Sequence, residues 1–206
     1  MLILALGFAL VGIPKGELHL LLCDHHTANR DIFFRYYTRL AEWFPYILCV
    51  LLLLFGRVGD GCFASACQAF SALTTQIIKH LLVAPRPLTW FAEHYPDIQL
   101  PLAEGVKMNH WLSFPSGHTT SFFALAFVLS ILVSQRYNRF TNAWLQPTLF
   151  VLAALGGYSR IYLSQHFAAD VLGGIVIGIS ITLVCFAIFH RFEEQKWYNY
   201  RVFAKK

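Results

Sequence analysis

The chain has 206 residues, of which 57% are hydrophobic, 16% aromatic and only 13% charged. About a quarter of the residues in an ordinary soluble domain are charged, so this composition excludes disordered and fibrous proteins and indicates a polytopic membrane protein. The net charge of +5 comes from basic residues spread among the loops, which membrane topology explains better than nucleic-acid binding.

Apolar stretches recur along the whole chain. The first, 1–13, is short for a span and ends at Pro14. Charged residues or breaks containing glycine and proline separate five more: 40–55, 62–84, 118–134, 143–163 and 168–189. A helix needs about 20 residues to cross the hydrocarbon, so the length suits a single domain. We therefore predict an all-α membrane protein, a bundle of six transmembrane helices in one domain over 1–206.

Between the first two spans, the segment 15–41 mixes charged and apolar side chains, which predicts an amphipathic segment lying flat at the lipid headgroups. In the last span, Gly174 and Gly178 are four residues apart and predict close approach to a neighbouring helix. With Lys79, Arg86 and Arg160 set aside as candidate site residues, lysine and arginine are more frequent in the breaks near 57 and 136–139 and in the tail than on the other side. The positive-inside rule therefore predicts a cytoplasmic C-terminus, with 15–41 and 85–115 facing outward.

Lys79 and Arg86 are seven residues apart at the outer end of the third span. On a continuous helix both side chains would project from one face, because seven residues make two turns. Two cations that snorkel from a helix end to the interface would give the same pattern. The pair alone is therefore a weak indication of a site.

The tetrapeptide Pro115-Ser116-Gly117-His118 stands where the outer connection becomes the fourth span. Ser116 suits a helix N-cap, and the free amide hydrogens behind it attract anions. Gly117 lets the backbone approach a ligand, and His118 is a candidate proton donor. A plain capped helix start explains the proline, serine and glycine, but it does not need the histidine.

Ser159-Arg160, His166 and Asp170 run from the end of the fifth span into the sixth. His166 and Asp170 are four residues apart, so on a helix the carboxylate can bond one imidazole nitrogen and leave the other free to attack. A purely structural histidine–aspartate pair is the alternative reading. Ionisable side chains at membrane depth are usually functional, which favours an activated nucleophile.

In a six-span bundle the three clusters lie on one side of the membrane. Lys79, Arg86 and Arg160 would then surround one phosphate, whose oxygens arginine can engage bidentately. No clustered carboxylates suggest a two-metal site, and the five cysteines show no spacing typical of disulfides or zinc. We therefore predict phosphoryl transfer to a histidine, with no metal and no cofactor.

The three motifs together resemble the signature of the type 2 phosphatidate phosphatases, the PAP2 superfamily: Lys79-x6-Arg86-Pro87, Pro115-Ser116-Gly117-His118 and Ser159-Arg160-x5-His166-x3-Asp170. The signature core spans 79–170, and the hydropathy extends the resemblance over nearly the whole chain. It implies that His166 attacks phosphorus, that Asp170 orients it and that His118 protonates the leaving oxygen. It also implies a set of phosphate-binding residues: Lys79, Arg86, Ser116, Gly117 and Arg160.

These inferences predict a lipid phosphatase of the inner (cytoplasmic) membrane whose active site faces the periplasm or exterior. Its partners would be the bilayer and a lipid phosphate, not nucleic acid. Undecaprenyl pyrophosphate, lipid A, phosphatidylglycerophosphate and phosphatidate all fit as substrates. A lipid phosphotransferase with the same site and a non-catalytic membrane protein are the alternatives. A vanadate-dependent peroxidase is disfavoured, because the known peroxidases of the superfamily are soluble.

Overall fold

The computed structural model describes residues 7, 12–24 and 26–202, and the regular structure in this part of the chain is helical throughout. The α-helices, in chain order, are α1 Lys15–Cys23, α2 Ala28–Tyr37, α3 Trp43–Gly56, α4 Val58–Leu82, α5 Pro87–His94, α6 Gly117–Arg136, α7 Arg139–Tyr162 and α8 Ala168–Phe189. Two 3-10 turns, Thr38–Ala41 and His190–Phe192, complete them. The predicted all-α class is confirmed, whereas the predicted first span, 1–13, falls almost wholly outside the described residues.

Two helices are long and apolar enough to cross a membrane: α6, and α8 extended to Phe192. A third span results if the segments Ala28–Ala41 and Phe44–Gly56, bent by 47°, act as one. The helices α4 and α7 have 25 and 24 residues, but polar side chains dilute their apolar character. In the described part of the chain, two or three of the six predicted spans are therefore found.

The helices α6 and α8 pack closely at the centre of the fold, and two glycines permit it. A Cβ added at Gly174 would lie 2.7 Å from the Ser116 carbonyl oxygen, and one at Gly178 would lie 2.7 Å from that of Thr120. Real Cβ atoms do not come this close to backbone. The predicted close approach at Gly174 and Gly178 is thus confirmed, and it fixes the start of α6 against the start of α8.

The segment 15–41, predicted to lie flat at the lipid headgroups, packs into the fold. It forms α1, α2 and a 3-10 turn, which bury Leu18 and Phe34 in the core. Two tyrosines of α7 bind this segment: the Tyr158 hydroxyl donates to the Leu22 carbonyl at 3.0 Å, and the Tyr162 hydroxyl donates to Asp31 at 2.5 Å. The segment therefore packs on the end of α7 that leads into the 163–167 loop.

A polar cluster joins the helices at the end of the bundle where α4 begins and α6 ends. The buried Asp60 carboxylate accepts hydrogen bonds from Arg57 and Arg136 and so ties α4 to the end of α6. The tail returns to the same place, where the ring of Tyr198 occupies the space that a Cβ at Gly59 would need. The amide of Gly59 donates to the Tyr198 carbonyl at 3.0 Å. The cluster around Asp60 thus lies at the other end of the bundle from the contact between the starts of α6 and α8.

Candidate active site

Polar side chains gather at one end of the bundle, where α4 and α7 end and α6 and α8 begin. Most are buried, with relative exposures between 0% and 9%. A buried charge is costly unless it is paired or used, so this concentration needs an explanation. The buried members are Lys79, Arg86, Ser116, Arg160, His166 and Asp170.

His166 lies in the loop just before α8, two residues ahead of its first residue. Its Nδ1 lies 3.6 Å from Oδ2 of Asp170, an ion-pair distance slightly longer than a hydrogen bond. The two residues were predicted to meet on one helix. They meet instead because the loop turns back on the first turn of α8.

The Asp170 carboxylate is held by groups other than His166. Its Oδ2 accepts hydrogen bonds from the Ser113 hydroxyl at 2.6 Å and from the Phe167 amide at 2.8 Å. The second of these caps α8, where a negative charge also meets the positive end of the helix dipole. Asp170 is therefore fixed independently of the imidazole that it faces.

Ser116 caps α6, as predicted. Its hydroxyl accepts from the Thr119 amide at 3.4 Å, and its own amide donates to the Asp170 carbonyl at 2.9 Å. Gly117 and His118 form the first turn of α6, where backbone amides have no partner within the helix. The start of α6 thus presents free donors beside the loop that carries His166.

Lys79 and Arg86 come together in a way that the sequence analysis did not predict. The helix α4 ends at Leu82, Val83 adopts a left-handed conformation with φ of 43°, and Arg86 is extended. The continuous helix is wrong because Pro85 and Pro87 each exclude helical backbone from the residue before them. The 83–86 turn, rather than helical spacing, brings the two cations to one place.

Both cations are anchored to the outer connection, and Arg86 also to the loop of His166. Nζ of Lys79 donates to the Leu112 carbonyl at 2.6 Å. The Arg86 guanidinium donates to the Trp111 carbonyl at 3.0 Å and to Oε1 of Gln165, the neighbour of His166, at 3.0 Å. Arg86 therefore fixes the position of the His166 loop directly.

Arg160 lies in the last turn of α7, just before the same loop. Its Nη1 donates to the Thr38 hydroxyl at 2.8 Å, whereas its Nε is buried and has no hydrogen-bond partner among the described residues. A cleft of about 270 Å³ opens beside it, and His118 and Arg160 are among the residues that line it. This cleft is the polar entrance to the buried cluster.

The cluster favours a neutral His166. Burial lowers the pKa of this imidazole, and the nearby charges of Arg160 and Arg86 act in the same direction, although Asp170 opposes them. An unprotonated imidazole is the form that can act as a nucleophile. Three cations, Lys79, Arg86 and Arg160, outnumber the two carboxylates that act on them, Asp170 and Glu42, so a further anion would be electrostatically favoured there.

Several residues of this site were missed by sequence reasoning. Ser113, Gln165 and Thr38 hold Asp170, Arg86 and Arg160, respectively. The only sequence signal for Ser113 and Gln165 is nearness to a motif, and Thr38 has none, since it lies more than 100 residues from the arginine it binds. Behind the loop, Nε2 of the buried His19 lies 3.3 Å from the Ser164 hydroxyl, so α1 supports the turn before His166.

Comparison with known proteins gives one family. A family model described as the PAP2 superfamily matches residues 60–194. The undecaprenyl-diphosphatase BcrC of Bacillus subtilis is 27% identical over 174 residues, which cover 83% of this chain and 79% of that relative. A lipid A 4'-phosphatase of Porphyromonas gingivalis is 24% identical over 168 residues, which cover 79% of this chain and 67% of the relative.

A solved structure has the same fold. The crystal structure of Aquifex aeolicus LpxE superimposes with a TM-score of 0.65 at 27% sequence identity, covering 83% of this chain and 93% of that one. The family match includes the ends of all four helices that form the polar cluster. The similarity therefore covers the site as well as the scaffold.

Proposed function

This chain belongs to the PAP2 superfamily, and from that premise we propose that it removes phosphate from a lipid phosphate monoester or diphosphate through a phosphohistidine intermediate. Its named relatives are phosphatases, so the chain is a hydrolase of phosphate esters and anhydrides. The observation that carries the proposal is the position of His166, which lies between a fixed carboxylate and the cations Arg86 and Arg160.

The first step is attack by His166 on phosphorus. Its Nδ1 faces Asp170, so Nε2 is the nitrogen that forms the bond to phosphorus. Asp170 holds the imidazole and stabilises the positive charge that develops as the bond forms. Ser113 and the Phe167 amide keep this carboxylate in place, so little reorganisation accompanies the reaction.

The bond that breaks joins phosphorus to the oxygen of the leaving group. The electron pair goes to that oxygen, and His118, at the wall of the polar cleft, supplies the proton. Water then attacks the phosphohistidine, His118 takes up a proton from it, and inorganic phosphate leaves. Both histidines return to their starting states, and the cycle consumes one water molecule.

The transferred phosphoryl group is bound by cations and backbone donors. Lys79, Arg86 and Arg160 neutralise the charge of its oxygens, and Ser116 and Gly117 offer the amide end of α6. In this scheme the cations do the work that a divalent metal does in other phosphoryl transfer enzymes. We therefore propose a reaction that needs neither metal nor cofactor.

The apolar helices support a location of this chemistry at the membrane surface. A site at the ends of spanning helices meets lipid headgroups, while the tails stay in the bilayer. We propose an inner-membrane enzyme with a cytoplasmic tail and an active site that faces the periplasm or exterior. Undecaprenyl pyrophosphate, lipid A, phosphatidylglycerophosphate and phosphatidate are the candidate substrates, and the two relatives named above support the first two.

The direct test is phosphate release by the protein purified in detergent, in the presence of a chelator. The wild-type protein should release phosphate from at least one of these four lipids, and His166→Ala and His118→Ala should lower kcat by about 10³-fold or more. An Arg139→Gln variant, changed at the far end of α7, serves as the control. Full phosphate release by His166→Ala would refute the mechanism, and release only when an acceptor lipid is added would indicate a phosphotransferase.

A further inference from the structure

We propose that the cleft beside His118 is a second anion-binding subsite, in which Arg35, Arg39 and Lys107 bind the retained phosphate of a lipid diphosphate. The inference rests on the proposed function, because it takes His118 as the proton donor to the leaving group. It adds a chemical class for that leaving group, which the signature residues do not determine.

The position of the cleft relates it to the leaving group. Arg160 belongs to the buried cluster, and both Arg160 and the half-buried His118 line the wall of the cleft. A leaving oxygen protonated by His118 must lie on the side of the phosphoryl group that His118 faces. The atoms attached to that oxygen therefore extend into the cleft.

The charge of the cleft suits an anionic leaving group. Arg35, Arg39 and Lys107 line it with Arg160, whereas Glu42 is the one acidic residue among its lining residues in the described chain. Among residues 12–24 and 26–202, no carboxylate oxygen lies within 4 Å of the side-chain nitrogens of Arg35, Arg39 or Lys107. Like charges around one cleft repel each other, and an anion there would offset the repulsion.

A hydrogen bond and a neighbouring glycine hold the Arg35 guanidinium in place. Its Nη1 donates to the Glu104 carbonyl at 3.0 Å, and Gly105 follows with a φ of 72°. A Cβ at Gly105 would lie 2.5 Å from Nη1, so both the left-handed turn and the space for the guanidinium need glycine.

Two buried donors near the cleft lack partners. Nε of Arg35 and Nε of Arg160 are both buried without a hydrogen bond among the described residues, and Arg160 as a whole is only 6% exposed. Leaving a charged donor unpaired costs free energy, and a bound anion would satisfy it. Because Arg160 also serves the transferred phosphoryl group, the unpaired Nε of Arg35 is the donor that points to a further ligand in the cleft, independently of the net charge.

The chemistry then distinguishes two kinds of substrate. With phosphatidate or a polyprenyl monophosphate the leaving group is an uncharged lipid alcohol, which gains nothing from three extra cations. With a diphosphate, His166 bonds to the terminal phosphorus, the bond from that phosphorus to the bridging oxygen breaks, and His118 protonates the bridging oxygen. The leaving group is then a lipid monophosphate, whose negative charge the cleft stabilises.

The test compares a polyprenyl diphosphate with the polyprenyl monophosphate of the same tail length, in the same detergent. The wild type should have the higher kcat/KM for the diphosphate. The double variant Arg39→Gln/Lys107→Gln should lower the ratio of the two kcat/KM values about tenfold, as expected for lost charge-assisted hydrogen bonds. Arg39→Lys, which keeps the charge, should retain most of the ratio.

An exposed arginine outside the cleft provides the matched control. Arg139→Gln removes one positive charge at the far end of α7 and should leave the ratio unchanged. Thermal unfolding in detergent shows whether each variant is folded; if the double variant is not, the single variants Arg39→Gln and Lys107→Gln replace it.

Two results would overturn the subsite: an unchanged ratio in folded variants, or a wild type that hydrolyses the monophosphate but not the diphosphate. In the second case the proposed function stands. If the wild type releases phosphate from neither compound and from none of the candidate lipids, the proposed function itself fails and the subsite falls with it.

Discussion

The amide of His166 donates a hydrogen bond to the carbonyl oxygen of Arg160, with 3.1 Å between the two atoms, and the Gln165 amide donates to the same oxygen at 3.0 Å. These bonds close the five-residue interval between the arginine and the histidine into a compact turn. The turn therefore holds the backbone of the proposed nucleophile close to that of a proposed phosphate-binding cation.

The substitution Asp170→Asn should separate capping from catalysis. Asparagine can still accept the Phe167 amide and cap α8, but it lacks the negative charge that faces His166. We expect kcat to fall by about 10²- to 10⁴-fold with a much smaller change in KM, measured by phosphate release. Ser113→Ala, which removes one donor to the same oxygen, should cost about tenfold. A kcat for Asp170→Asn within threefold of wild type would exclude an orienting role.

Arg86 should not be replaceable by lysine. A lysine keeps the charge but cannot donate to Trp111 and Gln165 while also engaging phosphate, because its ammonium is a single point. We expect kcat/KM for Arg86→Lys to fall about 10²-fold. Arg139→Lys makes the same exchange at the opposite end and should retain wild-type kinetics. Equal activity of the two variants would mean that Arg86 supplies charge alone.

The contact between α6 and α8 at Gly174 leaves no space for even one added methyl group. In Gly174→Ala the new Cβ would lie 2.7 Å from backbone, and neither helix can yield without shifting the start of α6. We expect a loss of about 1–3 kcal/mol in the free energy of unfolding, together with reduced phosphate release. The control is Gly56→Ala, where a Cβ would meet nothing within 4 Å. If both variants unfold at the wild-type temperature, the packing described for α6 and α8 is incorrect.

Acid should destabilise the protein through His19. Burial lowers the pKa of this imidazole from 6.5 to about 4. Between these two values the unfolded chain binds a proton that the folded chain does not, so stability falls as the pH falls from 6.5 to 4, by up to about 3 kcal/mol.

Thermal unfolding midpoints at pH 7 and pH 4.5 measure this effect. The drop between the two pH values should be smaller in His19→Gln than in the wild type. His80→Gln changes an exposed histidine of α4 and should show the full wild-type drop. A drop in His19→Gln as large as that of the wild type would assign the acid sensitivity to other groups.

The structure brings together the candidate residues that the sequence singled out, while their catalytic roles stay a prediction. Residue type and spacing were enough to single out His118, His166 and Asp170, because few side chains can act as nucleophile, acid or orienting carboxylate. The five long apolar stretches after 40 are all helices in the structure, with ends displaced by a few residues. Periodicity and composition carry that information locally.

The rest depends on contacts between distant parts of the chain. The pairing of Lys79 with Arg86 through a left-handed turn at Val83 follows from two prolines and from an outer connection that folds back, with the Arg86 amide bound to the His110 carbonyl at 2.9 Å. The support that Thr38 gives to Arg160 joins residues 122 positions apart. No local pattern encodes such partners, so sequence reasoning had no means to find them.

The contact of Tyr198 with Gly59 has a consequence for how the protein is synthesised. A nascent chain that has been translated as far as Asp170 already contains every residue of the phosphate cluster, but it still lacks the ring that fills the groove beside Gly59. The two ends of the bundle are thus completed at different moments of translation. Chains truncated before Tyr198 would keep every residue of the phosphate cluster and lose the Tyr198–Gly59 contact at the opposite end. Such truncated chains therefore allow one end of the bundle to be studied without the other.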